Sequence, residues 1–246
     1  MGFKRHIGHI ERLAATISQL VIWVPLRVLF FFFGRLEVRG WEYMHKIPSG
    51  PFIIISDHIS FLDPFLISHL FPFSTRFFPF RYPSTPNHYY TWKRPFMWLL
   101  GAYPIIKKGN LDDTLKKTIE ILRSDQRIIM FPTGKIARYG RKKNPRRGAI
   151  YLAARTGFPI FPCSVRGFQS RLYPMGFRWS DFLFRRYRLS VAFGEPFFIQ
   201  EIYGTLPETD EEYREASEKA MQKVYALQSG EPMHETKLVW GLQGKR

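Results

Sequence analysis

The fold is decided by residues 51–66, PFIIISDHISFLDPFL. Residues 52–56 are apolar and rich in isoleucine, which predicts a strand buried on both faces of a parallel or mixed sheet. Asp63 and Pro64 then begin a second apolar run, and this pair is typical of a helix start. His58 lies between the two, on the turn at the carboxyl end of the strand, where α/β sheets bind their ligands.

His58 and Asp63 have the chemistry of a base and the carboxylate that orients it. Histidine titrates near neutral pH and can take a proton from a hydroxyl group. It does so best when a carboxylate holds one ring nitrogen and leaves the other facing the substrate. A turn between the two residues would bring Asp63 back to His58. The alternative is that His58 only closes the turn and Asp63 only caps the helix.

The rest of the chain predicts a single α/β domain, because 246 residues bury one such core well and two poorly. Apolar runs predict strands at 36–40, 75–80, 103–106, 127–131, 159–166 and 189–193, and helical periodicity predicts helices at 92–100, 110–123, 148–156 and 209–228. Residues 81–90, with two prolines, predict a loop. The predicted fold is a mixed, mostly parallel sheet covered by helices, with an N-terminal helix (1–35), a domain (36–230) and a tail (231–246).

Residues 14–33 form an apolar segment of about the length that spans a bilayer. Polar and aromatic side chains follow one face of the predicted helix at intervals of three or four residues: Arg12, Thr16, Gln19, Trp23 and Arg27. We predict that the helix lies in the membrane interface with this stripe at the lipid headgroups. A helix that spans the membrane and an ordinary core helix are the alternatives.

The composition favours a membrane partner. The formal net charge is +17, which indicates a polyanion, and aromatic residues make up 17% of the chain. Because aromatic side chains favour the bilayer interface, an anionic membrane surface is expected and nucleic acid is not. The single cysteine, Cys163, excludes an internal disulfide bond and fits a reducing compartment. We therefore expect the protein at the cytoplasmic face of a membrane.

Four sequence blocks in order carry a resemblance to a known family. They are DHISFLD at 57–63, GAYPIIK at 101–107, FPTGKIAR at 131–138 and FPIFPC at 158–163. The first, third and fourth blocks resemble N-H-x-S-x-x-D, F-P-E-G-T-R-S-R and V-P-I-x-P-V of the glycerolipid acyltransferases, which include the lysophosphatidic acid acyltransferases. The second block resembles that family's pattern of a glycine followed by apolar residues and a basic residue. The resemblance extends from Leu36 to Pro196.

The resemblance implies an O-acyltransferase that needs no cofactor and no metal ion. It implies transfer of a fatty acyl group from acyl-CoA or acyl carrier protein to a lysophospholipid acceptor, 1-acyl-sn-glycerol-3-phosphate, which gives phosphatidic acid. His58 and Asp63 match the catalytic residues of the first block. The residues that match positions for the acceptor and its phosphate are Lys107, Thr133, Gly134 and Arg138.

Several positions differ from the family pattern. Asp57 stands where the family has Asn, and a carboxylate beside His58 favours the charged imidazole. Thr133 and Ile136 replace the Glu and Arg of the third block, which in the family is tied to the acceptor headgroup. The alternatives are thus an acyltransferase with a different acceptor and a catalytically altered lipid-binding homologue. A hydrolase with Ser60 as nucleophile is a further alternative.

The most basic window, residues 138–147, holds six lysines or arginines in ten residues. It is either a solvated loop, as runs of charge usually are, or a cradle for phosphate groups. Both interpretations stay open at the level of sequence.

Overall fold

The computed structural model describes residues 2–72, 74, 76–107, 109–136, 144–167, 179–186 and 188–229, with side chains from residue 10 to residue 227. Arg138, most of the basic window and the predicted tail at 231–246 lie outside the described residues.

A seven-stranded sheet forms the centre of the described chain, in the order β1-β7-β6-β2-β5-β3-β4. Its strands are β1 (Glu37–Arg39), β2 (Ile53–Ser56), β3 (Phe80–Ser84), β4 (Ala102–Pro104), β5 (Arg127–Met130), β6 (Ile160–Arg166) and β7 (Ser190–Phe193). All neighbouring pairs are parallel except β6 and β7. The predicted mixed, mostly parallel sheet is confirmed.

Helices cover both faces of the sheet. They are α1 (Gly2–Phe33), α2 (Asp63–Leu70), α3 (Pro86–Tyr89), α4 (Arg94–Leu99), α5 (Leu111–Arg123), α6 (Gly148–Thr156), α7 (Trp179–Leu183), α8 (Ile199–Tyr203) and α9 (Asp210–Ser229). A 3₁₀ helix, Trp41–Lys46, joins β1 to β2. Two helix ends follow their sequence signals, since Asn110 caps α5 by accepting from the N–H of Asp113, and Gly157 ends α6 in a left-handed conformation.

The central strand β2 explains why the apolar run is continuous. Ile54 belongs to the core on the face covered by α1 and α2, whereas Ile53 and Ile55 belong to the core under α5, α6 and α9. All three side chains are at most 1% exposed. Successive side chains of a strand point to opposite faces, so a strand buried on both faces requires apolar residues throughout.

The prediction for residues 75–90 was wrong. Residues 81–84, predicted as loop, belong to strand β3, which pairs with β5 and β4. Arg81 within this strand is only 2% exposed and lies 3.9 Å from the carboxylate of Glu11. Arg81 and Pro83 interrupt the apolar pattern by which a buried strand is recognised in the sequence, because a buried arginine is rare and proline is uncommon in strands.

The polar stripe of α1 faces the protein and not lipid headgroups, so that prediction was wrong as well. Buried Gln19 donates from Nε2 to the carbonyl oxygens of Phe80 and Leu100, and its Oε1 accepts from the N–H of Phe80. The Trp23 indole donates to the carbonyl oxygen of Phe71 at 2.8 Å. These bonds attach α1 to the domain along its polar side.

The opposite side of α1 is apolar and exposed, and we call it the apolar stripe. Its members are spaced by three or four residues, which places them on one face: Ile10, Leu13, Ile17, Val21, Val24, Val28 and Phe31. Their exposed fractions run from 39% to 68%. Residues 10–33 are also long and apolar enough to cross a membrane. Exposed apolar surface of this extent on one helix marks an interaction surface.

Candidate active site

The turn after β2 brings His58 and Asp63 together. Asp63 is the first residue of α2, and its side chain points back along the chain. One carboxylate oxygen, Oδ2, accepts from His58 Nδ1 at 2.8 Å and from the backbone N–H groups of Ile59 and Ser60 at 2.7 and 2.8 Å. The turn thus fixes the ring of His58 through Nδ1, and Nε2 has no hydrogen bond to any residue that the structure describes.

Asp63 is fully buried, whereas the side chain of His58 is 19% exposed. Burial raises the pKa of Asp63, and the hydrogen bond from His58 and the two backbone N–H groups oppose that rise. The other carboxylate oxygen, Oδ1, is buried and has no hydrogen-bond partner among the described residues. All three bonds therefore go to the oxygen that holds the imidazole.

Asp57 connects the same turn to the neighbouring strand β6. Its carboxylate accepts from the N–H of Val165 at 3.1 Å and from the hydroxyl of Ser56 at 3.3 Å. Burial raises the pKa of Asp57 to about 6, and the Val165 bond opposes this rise. The Asp57 carboxylate therefore helps to join β2 to β6. It is also the second carboxyl group beside His58 that the sequence indicated.

Phe131 forms one wall of the site. Because β5 runs parallel to β2, the residues that follow both strands meet at one edge of the sheet. The ring of Phe131 stacks on the His58 imidazole, with centroids 4.1 Å apart and an angle of 19° between the planes. This contact shields one face of the imidazole and restricts its rotation.

A tight turn follows Phe131 and carries the third sequence block. The N–H of Gly134 donates to the carbonyl oxygen of Phe131, and Gly134 has a φ of +66°, which favours glycine. Thr133 is buried, and its hydroxyl donates to the carbonyl oxygen of Lys135 at 3.3 Å. The guanidinium of Arg146 lies against Gly134, where an added Cβ would come within 2.7 Å of Arg146 Cζ.

His58 opens onto a large cleft of about 2720 Å³. One part of its wall, the apolar arm, consists of side chains from α1, α2, α4 and α7: Ile22, Leu26, Leu29, Phe65, Met97 and Phe182. Another part, the basic arm, contains Lys107, Lys135 and Arg146. An imidazole thus shares one cleft with an apolar wall and with cations, which suits an acyl chain and an anionic group.

The predicted site residues divide into three groups. His58, Lys107 and Gly134 line the cleft, whereas Asp63 and Thr133 are buried and do not line it. Arg138 lies outside the described residues. Sequence reasoning missed the stacking of Phe131 and singled out Arg146 only as part of a charged run, because each contact depends on how two separate segments pack.

Comparison with known sequences points to one family. A sequence model of the acyltransferase family matches residues 35–166, more than half of the chain. A chloroplastic 1-acyl-sn-glycerol-3-phosphate acyltransferase of Brassica napus is 25% identical over 162 residues, 63% of this chain and 43% of the relative. The corresponding chloroplastic enzyme of Arabidopsis thaliana is 26% identical over 162 residues, 63% of this chain and 42% of the relative.

A human relative and a solved structure agree with this result. Human 1-acyl-sn-glycerol-3-phosphate acyltransferase alpha is 26% identical over 156 residues, 58% of this chain and 50% of the relative. The chain spans half or less of the length of these relatives. The crystal structure of the 1-acyl-sn-glycerophosphate acyltransferase PlsC from Thermotoga maritima matches with a TM-score of 0.56 and 21% identity, over 84% of this chain and 80% of that chain. This match shows a shared fold.

Proposed function

The chain belongs to the acyltransferase family, and we propose that it transfers a fatty acyl group from a thioester donor, acyl-CoA or acyl carrier protein, to the hydroxyl of a lysophospholipid. The observation that carries this proposal is the His58–Asp63 hydrogen bond at the mouth of a cleft with an apolar arm and a basic arm. The relatives named above act on 1-acyl-sn-glycerol-3-phosphate, so this acceptor, with phosphatidic acid as product, is the first choice.

His58 acts as the general base in the proposed reaction. Its free Nε2 takes the proton of the acceptor hydroxyl while the hydroxyl oxygen forms a bond to the thioester carbonyl carbon. The tetrahedral intermediate then breaks its carbon–sulfur bond, and the leaving thiolate takes the proton from the imidazolium. Asp63 holds the Nδ1–H tautomer and stabilises the imidazolium in between. A thioester is already activated, so no covalent acyl-enzyme is needed.

Substitution of His58 tests this mechanism. Loss of a positioned base lowers the rate roughly a hundred- to ten-thousandfold, so His58→Ala should lose at least that much kcat. His45→Ala is the control, because His45 is an exposed histidine on the 3₁₀ helix. Folding of both variants is checked by thermal unfolding. Turnover of His58→Ala close to that of the unchanged protein would end the mechanism.

The acceptor and the alternatives are separated by a panel of lysolipids with radiolabelled acyl-CoA or acyl carrier protein. Label in phosphatidic acid supports the proposal, and label in another phospholipid indicates a different acceptor, as the buried Thr133 in place of the family Glu would allow. Lipid binding with no turnover indicates an altered homologue. Release of fatty acid alone would indicate a hydrolase, but Ser60 is a poor nucleophile because its hydroxyl is buried and accepts from the N–H of Leu62.

We also propose that α1 lies flat in the membrane interface, with the apolar stripe in lipid. Arg12 and Gln19 bond to backbone carbonyls of the domain, and Trp23 does so further along the helix. These bonds extend over the eleven residue steps from Arg12 to Trp23, about 16 Å at 1.5 Å per residue, which supports a helix that lies beside the domain and does not cross the bilayer. The apolar arm of the cleft uses the same helix, which supports entry of lipid substrates from this surface.

Vesicle binding tests the membrane proposal. Val21, 68% exposed on the apolar stripe, is changed to Glu, and the exposed Leu206 away from this helix is changed to Glu as a control. Sedimentation with phosphatidylcholine vesicles that contain an anionic lipid should show at least tenfold weaker partition for Val21→Glu, because an apolar side chain is replaced by a charge. Equal binding of the two variants would contradict the proposed orientation.

A further inference from the structure

Arg146 lies where the segment before α6 meets the turn after β5. Its backbone N–H donates to the carbonyl oxygen of Pro132 at 2.9 Å, which joins the two segments. Its guanidinium lies across Gly134, so close that a Cβ at that position would come within 2.9 Å of both Nε and Nη1. Phe131, one residue before Pro132, stacks on His58. Arg146 therefore belongs to the same wall of the cleft as the candidate base.

The guanidinium of Arg146 has no acidic partner among the described residues. Two neighbouring arginines do have partners: Arg147, which precedes α6, pairs with Asp210, and Arg155 within α6 pairs with Asp112. Lys135, which also lines this part of the cleft, likewise has no salt bridge within the described chain. Lys107, the third cation of the basic arm, has none among the described residues either. Of these three cations, only Arg146 has the planar fork of donors that matches a phosphate.

We propose that Arg146 is a specificity-determining residue that binds a phosphate group of a substrate in the cleft. The proposal rests on the proposed acyl transfer and adds to it a residue that lies outside the four sequence blocks. Ile136 is apolar where the family pattern has Arg, and Arg146 supplies a guanidinium beside the same turn through Gly134. The small residue at 134 leaves room for the guanidinium to lie over the backbone.

Steady-state kinetics with the full chain test this role. Arg146→Ala should raise the KM of the phosphate-bearing substrate roughly ten- to a hundredfold and change kcat little, because charge-assisted hydrogen bonds to substrate are lost. Arg146→Lys should recover part of this loss, since it keeps the charge without the fork. Arg123→Ala removes the same charge from an exposed arginine at the end of α5 that does not line the cleft, and it should leave KM unchanged.

Gly134→Ala provides an independent perturbation, because the added Cβ would displace the guanidinium and leave its charge in place. It should raise the same KM as Arg146→Ala, and the double variant should be little worse than either single variant. Because Gly134 has a φ of +66°, the alanine should cost about 1 kcal/mol in thermal unfolding. Gly157→Ala, which carries the same backbone strain away from the cleft, is the matched control and should leave this KM unchanged.

Pairs of substrates with and without a phosphate group show whether the acceptor or the donor carries the phosphate that Arg146 binds. An increase in KM for lysophosphatidate, with no change for a monoacylglycerol acceptor, assigns the contact to the acceptor headgroup. An increase for acyl-CoA, with no change for an acyl thioester of N-acetylcysteamine, assigns it to the donor. Either result supports phosphate recognition by Arg146.

Two results would overturn the inference. One is that Arg146→Ala has the same KM as the control Arg123→Ala for both phosphate-bearing substrates. The other is an equal increase for substrates with and without phosphate, which would make the role of Arg146 purely structural. Absence of acyl transfer in the unchanged protein would instead refute the proposed function, so the two failures are distinguishable.

Discussion

Asp57→Asn should stabilise the protein at neutral and higher pH. Burial raises the pKa of Asp57 from its ordinary value of 3.8 to about 6. Because a tenfold change in proton affinity corresponds to about 1.4 kcal/mol, the ionised carboxylate costs the folded state about 3 kcal/mol above pH 6. Below pH 3.8 the group is protonated in both the folded and the unfolded state, and this cost is absent. Asparagine resembles the protonated acid and keeps an oxygen that accepts from the N–H of Val165.

The measurement is urea unfolding followed by tryptophan fluorescence at pH 4, 6 and 8. The difference in the free energy of unfolding between Asp57→Asn and the unchanged protein should be close to zero at pH 4. It should increase between pH 4 and pH 6, where the unfolded chain is ionised and the folded one is still protonated, and level off at about 3 kcal/mol by pH 8. Other titrating groups are shared by the two proteins, so the difference isolates Asp57. Glu218→Gln, which removes an exposed carboxylate of α9, should stay within about 0.5 kcal/mol at every pH.

A constant difference between pH 4 and pH 8 would refute the reasoning, because the effect would then come from packing and not from ionisation. A loss of stability at pH 8 would refute it as well, since it would mean that the charged carboxylate is worth more to the fold than its burial costs.

Three further predictions concern the elements that support the site. Gln19→Ala should lower the free energy of unfolding by about 3 kcal/mol in urea titrations, because it leaves three buried backbone groups without partners; Thr16→Ala, a change on the same helix face, is the control. Asp63→Asn should lower kcat by about a hundredfold or more with little change in KM, because an amide does not hold the Nδ1–H tautomer as a carboxylate does. Gly157→Ala should cost about 1 kcal/mol in thermal unfolding, because φ is +71° at the end of α6, although no atom lies within 4 Å of the added methyl. Unchanged values in these assays would count against the corresponding role.

The sequence predicts most strands of the sheet well and misses β3. Strands β2, β5 and β6 are found within one residue at each end, because a strand that is buried on both faces is mostly apolar. Strand β3 is missed, since it carries a buried Arg81 and Pro83. What stabilises Arg81 there is distant in sequence, the carboxylate of Glu11 on α1. No local pattern contains that partner.

The contact between His58 and Asp63 is predictable from sequence because the two residues are five apart on one turn, and the hydrogen bond needs no other segment. The Phe131 contact requires that β2 and β5 be adjacent and parallel, which the sequence only suggests. The position of Arg146 requires in addition that the chain return after residue 143 to the carbonyl oxygen of Pro132. Predictability therefore decreases with the number of separate segments that must pack before a contact exists.

The orientation of α1 shows a different limit. A polar stripe on an apolar helix has the same periodicity whether the stripe faces water, headgroups or the protein, so sequence alone cannot choose among them. The structure chooses the protein, because Gln19 and Trp23 supply donors to backbone carbonyls of β3 and of the segment after α2. Because the polar side chains of α1 bond to the domain, the side that faces away from the domain carries only apolar exposed side chains among those that the structure describes. Other apolar residues of α1, on the side that faces the domain, line the cleft. The surface proposed to meet lipid and the wall proposed to hold the acyl chain are therefore two sides of one helix, so a substitution that detaches α1 should impair membrane binding and turnover together.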